Sequence, residues 1–398
     1  MRKISQAQVK SKKILIRADL NCPIKNGKIM GSTRIAAHAR TIKNLSERGA
    51  RVIVLAHQGR KGSEDYTTLE EHSKILHDKV GLPVHYVDDL IGDKAKHAIE
   101  KMKDGEIIVL ENVRSLNCET NHPQAQGELV ENLSKIADYF VLDALSIAHR
   151  KQTSVVGFTQ HMPSFYGDVL ADEVEALEKI KDQKEVTFIF GGSKVEDSFS
   201  VMKKWLSEGR AKKILVGGAL SVLLLHSKGK NVGDSKEYLK NANLLGFVDE
   251  AKKLLDEFGD KIILPKDVGL SIKMTRHNCE VDKIHTGEIW DIGEETIREY
   301  TKHIQDAKFI VINGPMGVYE IEDFANGSKG ILKAVADCDA FSLVGGGHTI
   351  SAIERFEIDK KYFSYVSLSG KALIEFICGK ELPAIKALNE NEIKHHKK

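Results

Sequence analysis

Short β-forming runs alternate with amphipathic helical stretches along almost the whole chain, and this alternation restricts the fold more than any other feature. Near the N-terminus the pattern predicts a strand over Lys13–Leu20, a helix over Ile35–Glu47, a strand over Arg51–Ala56 and a helix over Leu69–Val80. Repeated strand–helix–strand units build parallel sheets with helices on both faces. We therefore predict an α/β fold with doubly wound, Rossmann-like parallel sheets.

The alternation comes in two series separated by one strongly helical segment. With 398 residues the chain is too long for one ordinary core, so two domains are expected. The segment Ala171–Lys181 contains neither glycine nor proline, and a second series of strands begins near Val186. We predict an N-terminal domain over residues 1–166, an interdomain helix over 167–184 and a C-terminal domain over 185–380, with closure about a hinge.

Charge and hydropathy exclude several classes of protein. Acidic and basic residues nearly balance to a formal charge of +2, which argues against general binding to nucleic acid or to a membrane surface. No apolar run approaches the length that spans a bilayer, and the start MRKISQAQVK lacks the apolar core of a signal peptide. The five cysteines are scattered without a CxxC pair, which favours reduced thiols in the cytoplasm and disfavours zinc.

In the first half of the chain, four predicted strands are each followed by arginine, histidine, carboxylate or carboxamide side chains. Ligands of open α/β sheets bind at the carboxyl ends of the strands, so these side chains should converge on one edge. Arginine matches the oxygens of phosphates and carboxylates, and we expect a small polyanionic ligand, although each arginine alone could be an ordinary surface residue. The candidates are Asp19, Asn21, Arg34, His57, Gly59, Arg60, Glu111, Asn112, Arg114, His149 and Arg150.

In the second half, the strand ends are rich in glycine. Backbone N–H groups in such turns and at a helix start bind phosphate, so a nucleotide is expected; for the triple glycine alone, a tight turn without a ligand is the alternative. Lys194 would place a point charge on a phosphate, and Glu320 could accept hydrogen bonds from ribose. The turns are Gly191–Lys194, Gly217-Gly218, Asn313–Glu320 and Gly345–Gly347, the last followed by His348 and Thr349.

The triple glycine does not complete either common nucleotide fingerprint. Ile350 stands where GxGxxG needs its third glycine, and the Gly370-Lys371 pair is followed by Ala372 where a Walker A loop needs serine or threonine. The missing GxGxxG disfavours a nicotinamide-dependent dehydrogenase. A polyanion site on one domain and a nucleotide site on the other indicate a kinase whose halves close, since phosphoryl transfer depends mainly on positioning and charge neutralisation.

The ordered motifs resemble those of the phosphoglycerate kinase family over essentially the full length. The pair Lys151-Gln152, directly after AHR, looks more like archaeal members of the family. In chain order, the motifs are RxDxNxP at 17–23, TRI at 33–35, HxGR at 57–60, ENxR at 111–114, DAxxxAHR at 143–150, GGxKVxD at 191–197, NGPMGVxE at 313–320 and GGG at 345–347.

The resemblance implies reversible transfer of a phosphoryl group from ATP to 3-phosphoglycerate, giving ADP and 1,3-bisphosphoglycerate, with magnesium. It also implies a monomer without nucleic-acid or membrane partners, whose segment 381–398 returns to the N-terminal domain. The implied catalytic residues are Arg34, Lys194, Gly347 and Gly370. The implied substrate-binding residues are Asp19, Asn21, Arg34, His57, Arg60, Arg114 and Arg150. The implied nucleotide-binding residues are Gly192, Lys194, Gly217, Asn313, Pro315, Val318, Glu320, Gly346, Gly347, His348 and Thr349.

Three departures from the family pattern concern the phosphate turns. His348 replaces the acid that usually helps to hold nucleotide-bound magnesium, so either another acid such as Asp197 positions the metal or His348 meets phosphate oxygens directly. Ser198 replaces a lysine, and the late glycine-rich turn reads SLSGKA, where Lys371 could restore the lost charge. These changes motivate the alternative of a divergent paralogue that binds nucleotide or phosphoglycerate with weak or no transfer. The metal ligands are not assigned.

Overall fold

The computed structural model of the protein describes residues 1–121 and 126–396. These residues divide into two compact units. Met1–Glu175 and the segment that begins at Glu381 form the first unit, and Ala176–Lys380 forms the second. Over the described ranges, no helix combines the length and the apolar character needed to cross a membrane.

The first unit is built on a parallel sheet. Its strands, together with those of a separate small hairpin, are β1 (Lys13–Arg17), β2 (Ile24–Lys25), β3 (Lys28–Ile29), β4 (Arg51–Leu55), β5 (Val84–Val87), β6 (Ile107–Leu110), β7 (Tyr139–Leu142) and β8 (Ser164–Tyr166). The sheet has the order β5-β6-β4-β1-β7-β8 with parallel neighbours throughout, and β2 pairs with β3 in an antiparallel hairpin. The predicted α/β class is confirmed.

Helices cover this sheet with apolar faces. In the longest of them before residue 168, Ile35, Ala39, Ile42 and Leu45 recur at helical spacing and are all buried, which is the pattern that packs a helix on a sheet. The helices of this part of the chain are α1 (Thr33–Glu47), α2 (Glu70–Val80), α3 (Asp93–Lys101), α4 (Cys118–Asn121), α5 (Glu128–Leu133) and α6 (Thr153–Val156).

The topology of this sheet creates a crevice at the carboxyl end of β1. The chain winds outward from β1 to β4 on one side and later crosses to β7 on the other, so β1 marks the reversal of winding. Open α/β sheets bind ligands at such a reversal. β1 ends at Arg17, three residues before the predicted end, and the chain then leaves the sheet with Asp19 at the crevice.

The second unit repeats the parallel design and adds a small antiparallel sheet. Its strands are β9 (Val186–Phe190), β10 (Ala211–Val216), β11 (Ile262–Ile263), β12 (Asp267–Ile272), β13 (Thr275–Glu280), β14 (Glu288–Ile292), β15 (Phe309–Asn313), β16 (Phe341–Gly345) and β17 (Tyr365–Val366). The parallel sheet has the order β11-β10-β9-β15-β16-β17, so its winding reverses between β9 and β15. The loops after these two strands carry Lys194 and Asn313–Glu320.

The antiparallel sheet β13-β12-β14 is not predicted from the sequence. Its outer strand β13 reads TRHNCE, which lacks the apolar run of a buried strand, and its residues are exposed or half-buried. The turn at Lys273 and Met274 places two non-glycine residues at φ 51° and 66°, the left-handed geometry of a tight hairpin.

The boundaries between the two units in the sequence fall within helix α7 (Asp168–Lys181) and just before helix α16 (Pro383–His396). The helix α7 lies within residues 167–184, where the sequence predicts an interdomain helix, and the division between the units falls inside it, after Glu175. The helices that follow are α8 (Val195–Ser207), α9 (Gly218–Ser227), α10 (Ser235–Asn241), α11 (Val248–Phe258), α12 (Glu294–Gln305), α13 (Asn326–Ala336), α14 (Gly347–Arg355), α15 (Lys371–Ile377) and α16 (Pro383–His396). In α16, the Asn391 side chain donates to the Thr159 and Met162 carbonyls and accepts from the Ser164 N–H, all in the first unit.

Candidate active site

In the first unit, the loops after β1, β4, β6 and β7 bring the predicted anion-binding residues to one edge. The arginines are close enough to influence one another. Burial first, and then the charges of Arg150 and Arg17, lower the pKa of Arg114 to about 10. Burial also lowers the pKa of Arg150, with Arg60 and Arg34 acting in the same direction and Asp19 opposing them. Such a cluster of mutually repelling cations is stabilised by an anion.

Asp19 fixes Arg34 at this edge. Arg34, in the first turn of α1, donates to Asp19 Oδ2, and the Ser146 hydroxyl donates to the same oxygen. The Asn21 N–H donates to Asp19 Oδ1 over 3.2 Å. Burial is the largest single influence on the pKa of Asp19 and raises it, but the Arg34 guanidinium, the Ser146 hydroxyl and the neighbouring imidazoles together outweigh burial and hold the pKa of Asp19 well below its usual range. Asp19 is therefore ionised, and it orients a guanidinium that stays about one-third exposed.

Backbone contacts join the loops that carry the remaining candidates. The Gly59 N–H donates to Asn21 Oδ1 over 2.9 Å, and Arg114 donates to the Gly59 carbonyl. Gly59 has φ +64°, and a Cβ there would lie 2.5 Å from the Asp65 carbonyl, so only glycine fits this position. Arg60 follows with an exposed side chain at the periphery.

Three buried polar residues of this unit were not assigned to the site from the sequence. Arg17 is completely buried and lies against His57, while Ser154 and Glu119 continue the contact inward. Arg17 is the first residue of the RxDxNxP motif, so its place in that motif could have identified it as a site residue. Glu119 and Ser154 have no signal in one sequence, because only the fold places α4 and α6 behind β1.

In the second unit, a cavity of about 240 Å³ lies beside the loops after β9 and β15. It is the best candidate for the base and sugar of a nucleotide, since it combines apolar walls with a few polar groups. The predicted residues Gly192, Pro315, Val318, Glu320 and His348 line it. Gly217 packs against Met316, where a Cβ would lie 2.8 Å from the sulfur, and the neighbouring Gly218 lines the cavity instead.

A second, smaller cavity adjoins the first and contains the phosphate turns. It shares Gly192, Ser193, Pro315 and His348 with the larger cavity. The predicted residues that line it are Gly192, Lys194, Asn313, Pro315, Gly346, Gly347, His348, Thr349 and Gly370, together with Asp197 and Ser198. The structure thus places the predicted glycine turns, except Gly217, around two connected spaces.

The backbone of the phosphate turns is closely packed. Gly314 has φ +93°, and a Cβ there would lie 2.2 Å from the Gly191 carbonyl oxygen. Gly346 has φ +91°, and a Cβ there would lie 2.3 Å from Asn313 Oδ1. The Thr349 hydroxyl accepts the Gly314 N–H over 2.8 Å, and Thr349 is buried, so this side chain holds the turn together. α14 starts at Gly347 with its first N–H groups at the cavity.

His348 and Glu320 meet where the two cavities join. His348 Nδ1 lies 3.9 Å from Glu320 Oε1, and both side chains are more than half exposed. Among the described residues, no group of three or more histidine, cysteine, aspartate or glutamate side chains is arranged to hold a metal ion. Asp197 is the carboxylate that lines the phosphate cavity.

The wall formed by the antiparallel sheet was missed from the sequence. Glu288 and Trp290 of β14 line the larger cavity, beside Tyr238 of helix α10. The Trp290 indole donates to Glu288 Oε2 over 2.6 Å, and the Trp290 carbonyl accepts the Val318 N–H over 2.8 Å. Trp290 is one of two tryptophans in the chain, but its role depends on a strand that the hydrophobic pattern did not reveal.

Comparisons with known proteins show which family this chain resembles. The family model described as phosphoglycerate kinase matches residues 4–380. The chain is 40% identical to the phosphoglycerate kinase of Methanothermus fervidus over 387 residues, covering 95% of this chain and 94% of that protein. It is also 40% identical to the phosphoglycerate kinase of Pyrococcus abyssi over 390 residues, covering 95% of each. Both organisms are archaea, which agrees with the archaeal resemblance of the pair Lys151-Gln152 in this chain.

Two solved structures share the whole fold. The crystal structure of phosphoglycerate kinase from Pyrococcus horikoshii OT3 matches with a TM-score of 0.94 and 37% identity, covering 99% of this chain and 100% of that one. The phosphoglycerate kinase structure from Coxiella burnetii matches with a TM-score of 0.81 and 31% identity, covering 98% of each chain. The two-domain α/β architecture predicted from the sequence is confirmed.

Proposed function

Because the chain belongs to the phosphoglycerate kinase family, we propose that it transfers a phosphoryl group reversibly between ATP and the carboxylate of 3-phosphoglycerate. The products are ADP and 1,3-bisphosphoglycerate, and the reaction belongs to glycolysis and gluconeogenesis. The observation that carries the proposal is the pairing of two chemically different sites in one chain: an arginine cluster in the first unit and glycine turns around a base-sized cavity in the second.

We infer that the first unit binds 3-phosphoglycerate through full charges. Arg60, Arg114 and Arg150 provide guanidinium groups for the phosphate and carboxylate oxygens. Asn21 and His57 supply further polar groups, and Asp19 holds Arg34 in place. No general base is needed, because the attacking carboxylate oxygen is already ionised.

The second unit is proposed to bind ATP or ADP. The base and sugar occupy the larger cavity against Trp290 and Val318, with Glu320 near the ribose hydroxyls. The phosphates lie in the smaller cavity, where the N–H groups of Gly346, Gly347 and Thr349 are available at the start of α14.

In the transfer step, positioning and neutralisation of charge lower the barrier. Negative charge spreads over the oxygens of the moving phosphoryl group, and cations or N–H groups that face those oxygens stabilise it. Arg34 from the first unit and Lys194 from the second are the proposed cations, with the backbone of Gly347 and Gly370 assisting. The two bound substrates must meet, so domain closure is part of the proposal.

Magnesium is proposed to arrive with the nucleotide. Mg²⁺ commonly binds through one or two carboxylates and substrate phosphates, and the lining of the phosphate cavity fits this limited donor set. Asp197 would supply the carboxylate, and His348 would face phosphate oxygens. When bound, the ion would neutralise charge on the phosphate oxygens.

We also propose where the protein is located and what it binds. All five cysteines are free, which suits a reducing compartment, and we propose a cytoplasmic location. We also propose that the protein is a monomer, that its partners are its small-molecule substrates and products, and that it binds neither nucleic acid nor membranes.

The deciding experiment measures transfer from MgATP to 3-phosphoglycerate with purified protein, coupled to reduction of the bisphosphoglycerate. We expect robust turnover that is lost in Lys194→Ala. The matched control is Lys203→Ala on α8, the helix that begins directly after Lys194, where Lys203 is about two-thirds exposed and paired with Glu250. Binding of both substrates without turnover would instead support the binding-only paralogue.

A further inference from the structure

We propose that Arg17 is a positioning residue that holds His57 as the neutral tautomer protonated on Nε2. His57 then offers phosphoglycerate a hydrogen-bond donor and no positive charge. The inference rests on the proposed function, because it concerns the same anion site, but it makes a separate statement about where one proton lies.

The assignment starts from one contact. Arg17 Nη2 lies 3.1 Å from His57 Nδ1. A guanidinium carries five N–H donors and no acceptor, so Nδ1 must contribute its lone pair to this contact. A neutral imidazole with the lone pair on Nδ1 carries its hydrogen on Nε2.

Arg17 is itself immobilised by a buried chain of contacts. Its side chain is completely buried, and its Nε donates to Ser154 Oγ over 2.8 Å. Ser154 then donates to both oxygens of Glu119, from its hydroxyl over 2.7 Å and from its N–H over 2.8 Å. Glu119 is only 1% exposed, and its charge balances that of Arg17. The guanidinium therefore cannot turn away from His57 without breaking buried hydrogen bonds.

The surroundings of His57 oppose a second proton on the ring. Burial comes first in lowering the pKa of His57 well below its usual value, and Arg17 from β1 acts in the same direction. Arg114 after β6 and Arg150 after β7 add to this effect, while Asp19 opposes it. Protonation of Nδ1 would also direct an N–H group at the N–H of Arg17. The ring therefore stays neutral while the arginines supply the charge.

The direct test is nuclear magnetic resonance of the full-length protein labelled with ¹⁵N-histidine. Long-range ¹H–¹⁵N spectra report the tautomer of each ring, and His57→Gln identifies the signal of His57. We expect an Nε2–H pattern that does not change between pH 5.5 and pH 8. A proton on Nδ1, or an ordinary histidine titration, would overturn the proposal. This readout needs no turnover, so it is independent of the test of the proposed function.

A variant tests the role of Arg17. Arg17→Met removes the charge and the donor but keeps a long side chain, so Nδ1 becomes free to accept a proton and the pKa of His57 should rise, although burial, Arg114 and Arg150 still lower it. The ratio of the variant's KM for 3-phosphoglycerate to that of the wild type should then fall by about fivefold as the pH decreases from 7.5 to 5.5, because a charged hydrogen bond replaces a neutral one. Taking the ratio cancels the titration of the substrate phosphate.

The double variant Arg17→Met, His57→Gln is the matched control and should show a ratio that is constant with pH. A constant ratio in Arg17→Met alone would mean that Arg17 has only a structural role. If Arg17→Met does not fold, the wild-type spectra still decide the question.

Discussion

The two proposed sites offer an anion different groups. The first unit uses charged side chains, since Arg34, Arg114 and Arg150 converge on one strand edge and Asp19 orients one of them. The second unit uses backbone, since its phosphate cavity is lined by glycine turns, with Lys194 as the cation among its lining residues. The difference follows from the expected ligands. A small polyanion has little surface besides its charges, whereas a nucleotide also offers a base that a cavity can bury.

This contrast predicts how each site fails. Substitution of a charged side chain should remove a catalytic or binding contact while leaving the backbone intact. Substitution of a glycine should alter the backbone itself and therefore affect both binding and stability.

The largest effect is expected from Arg34→Ala. If Arg34 acts on the transition state, turnover should fall by about three decades or more, as with other arginines in phosphoryl transfer. Steady-state kinetics separates the possibilities, since a raised KM with preserved turnover would make Arg34 a binding residue only. Arg40→Ala, on the same helix, is the control, because Arg40 is more than half exposed and pairs with Asp172.

Gly314→Ala should break the nucleotide site through its backbone. Alanine at φ +93° is strained, and its Cβ would overlap the Gly191 carbonyl, so we expect a loss of unfolding free energy of about 2 kcal/mol or more together with a higher KM for ATP. The KM for 3-phosphoglycerate should change little.

Gly209→Ala separates the backbone strain in that effect from the steric overlap. Gly209 also has a positive φ, +66°, but a Cβ there meets nothing within 4 Å. Its cost should be limited to about 1 kcal/mol of backbone strain, without a change in the KM for ATP. Equal losses in the two variants, measured by denaturant unfolding, would contradict the role of the overlap.

The two units should also respond oppositely to acid. Burial raises the pKa of Asp291, next to Trp290, to about 6, although Arg276 and the Gly327 N–H stabilise its charged form. The folded state thus keeps a proton that the unfolded chain has lost, and the stability from Asp291 is greatest near pH 4 and falls as the pH rises to 6. The pKa of Asp19 lies below its usual value, so the stability from Asp19 is lost as the pH falls.

Asp291→Asn tests this statement for the second unit. The difference in unfolding free energy between wild type and variant should decrease by about 2 kcal/mol from pH 4 to pH 7, since each pKa unit corresponds to about 1.4 kcal/mol and part of the full effect is already lost at pH 4. Denaturant titrations at several pH values measure it. A difference that is independent of pH would show that Asp291 is ionised throughout.

The smallest effect concerns Lys371, the first residue of α15, whose side chain is exposed. If Lys371 restores the charge that Ser198 lacks, Lys371→Ala should lower turnover by about twofold, the size expected for one solvated charge. Unchanged turnover would remove the support for this compensation and leave the phosphate site dependent mainly on its backbone.

Local sequence patterns were sufficient to predict the buried strands and the polar residues that follow them. Buried parallel strands are continuous apolar runs, so the strands predicted to begin at Lys13 and Arg51 do begin at those residues, as β1 and β4. Polar residues directly after such strands could be assigned to the site for the same reason. The antiparallel strand β13 could not be found, because a half-exposed polar strand has no comparable signal.

The sequence by itself determined the α/β class, the family, and the residues at the strand ends, because these depend on periodicity and on short motifs. Only the tertiary structure decided that Trp290 and Tyr238 line the larger cavity of the second unit, and that Glu119 and Ser154 support Arg17 behind His57. Those contacts join residues far apart in the chain, 35 positions between Glu119 and Ser154 and 137 between Arg17 and Ser154. No local pattern encodes such pairs, since their proximity arises from the winding of the sheet.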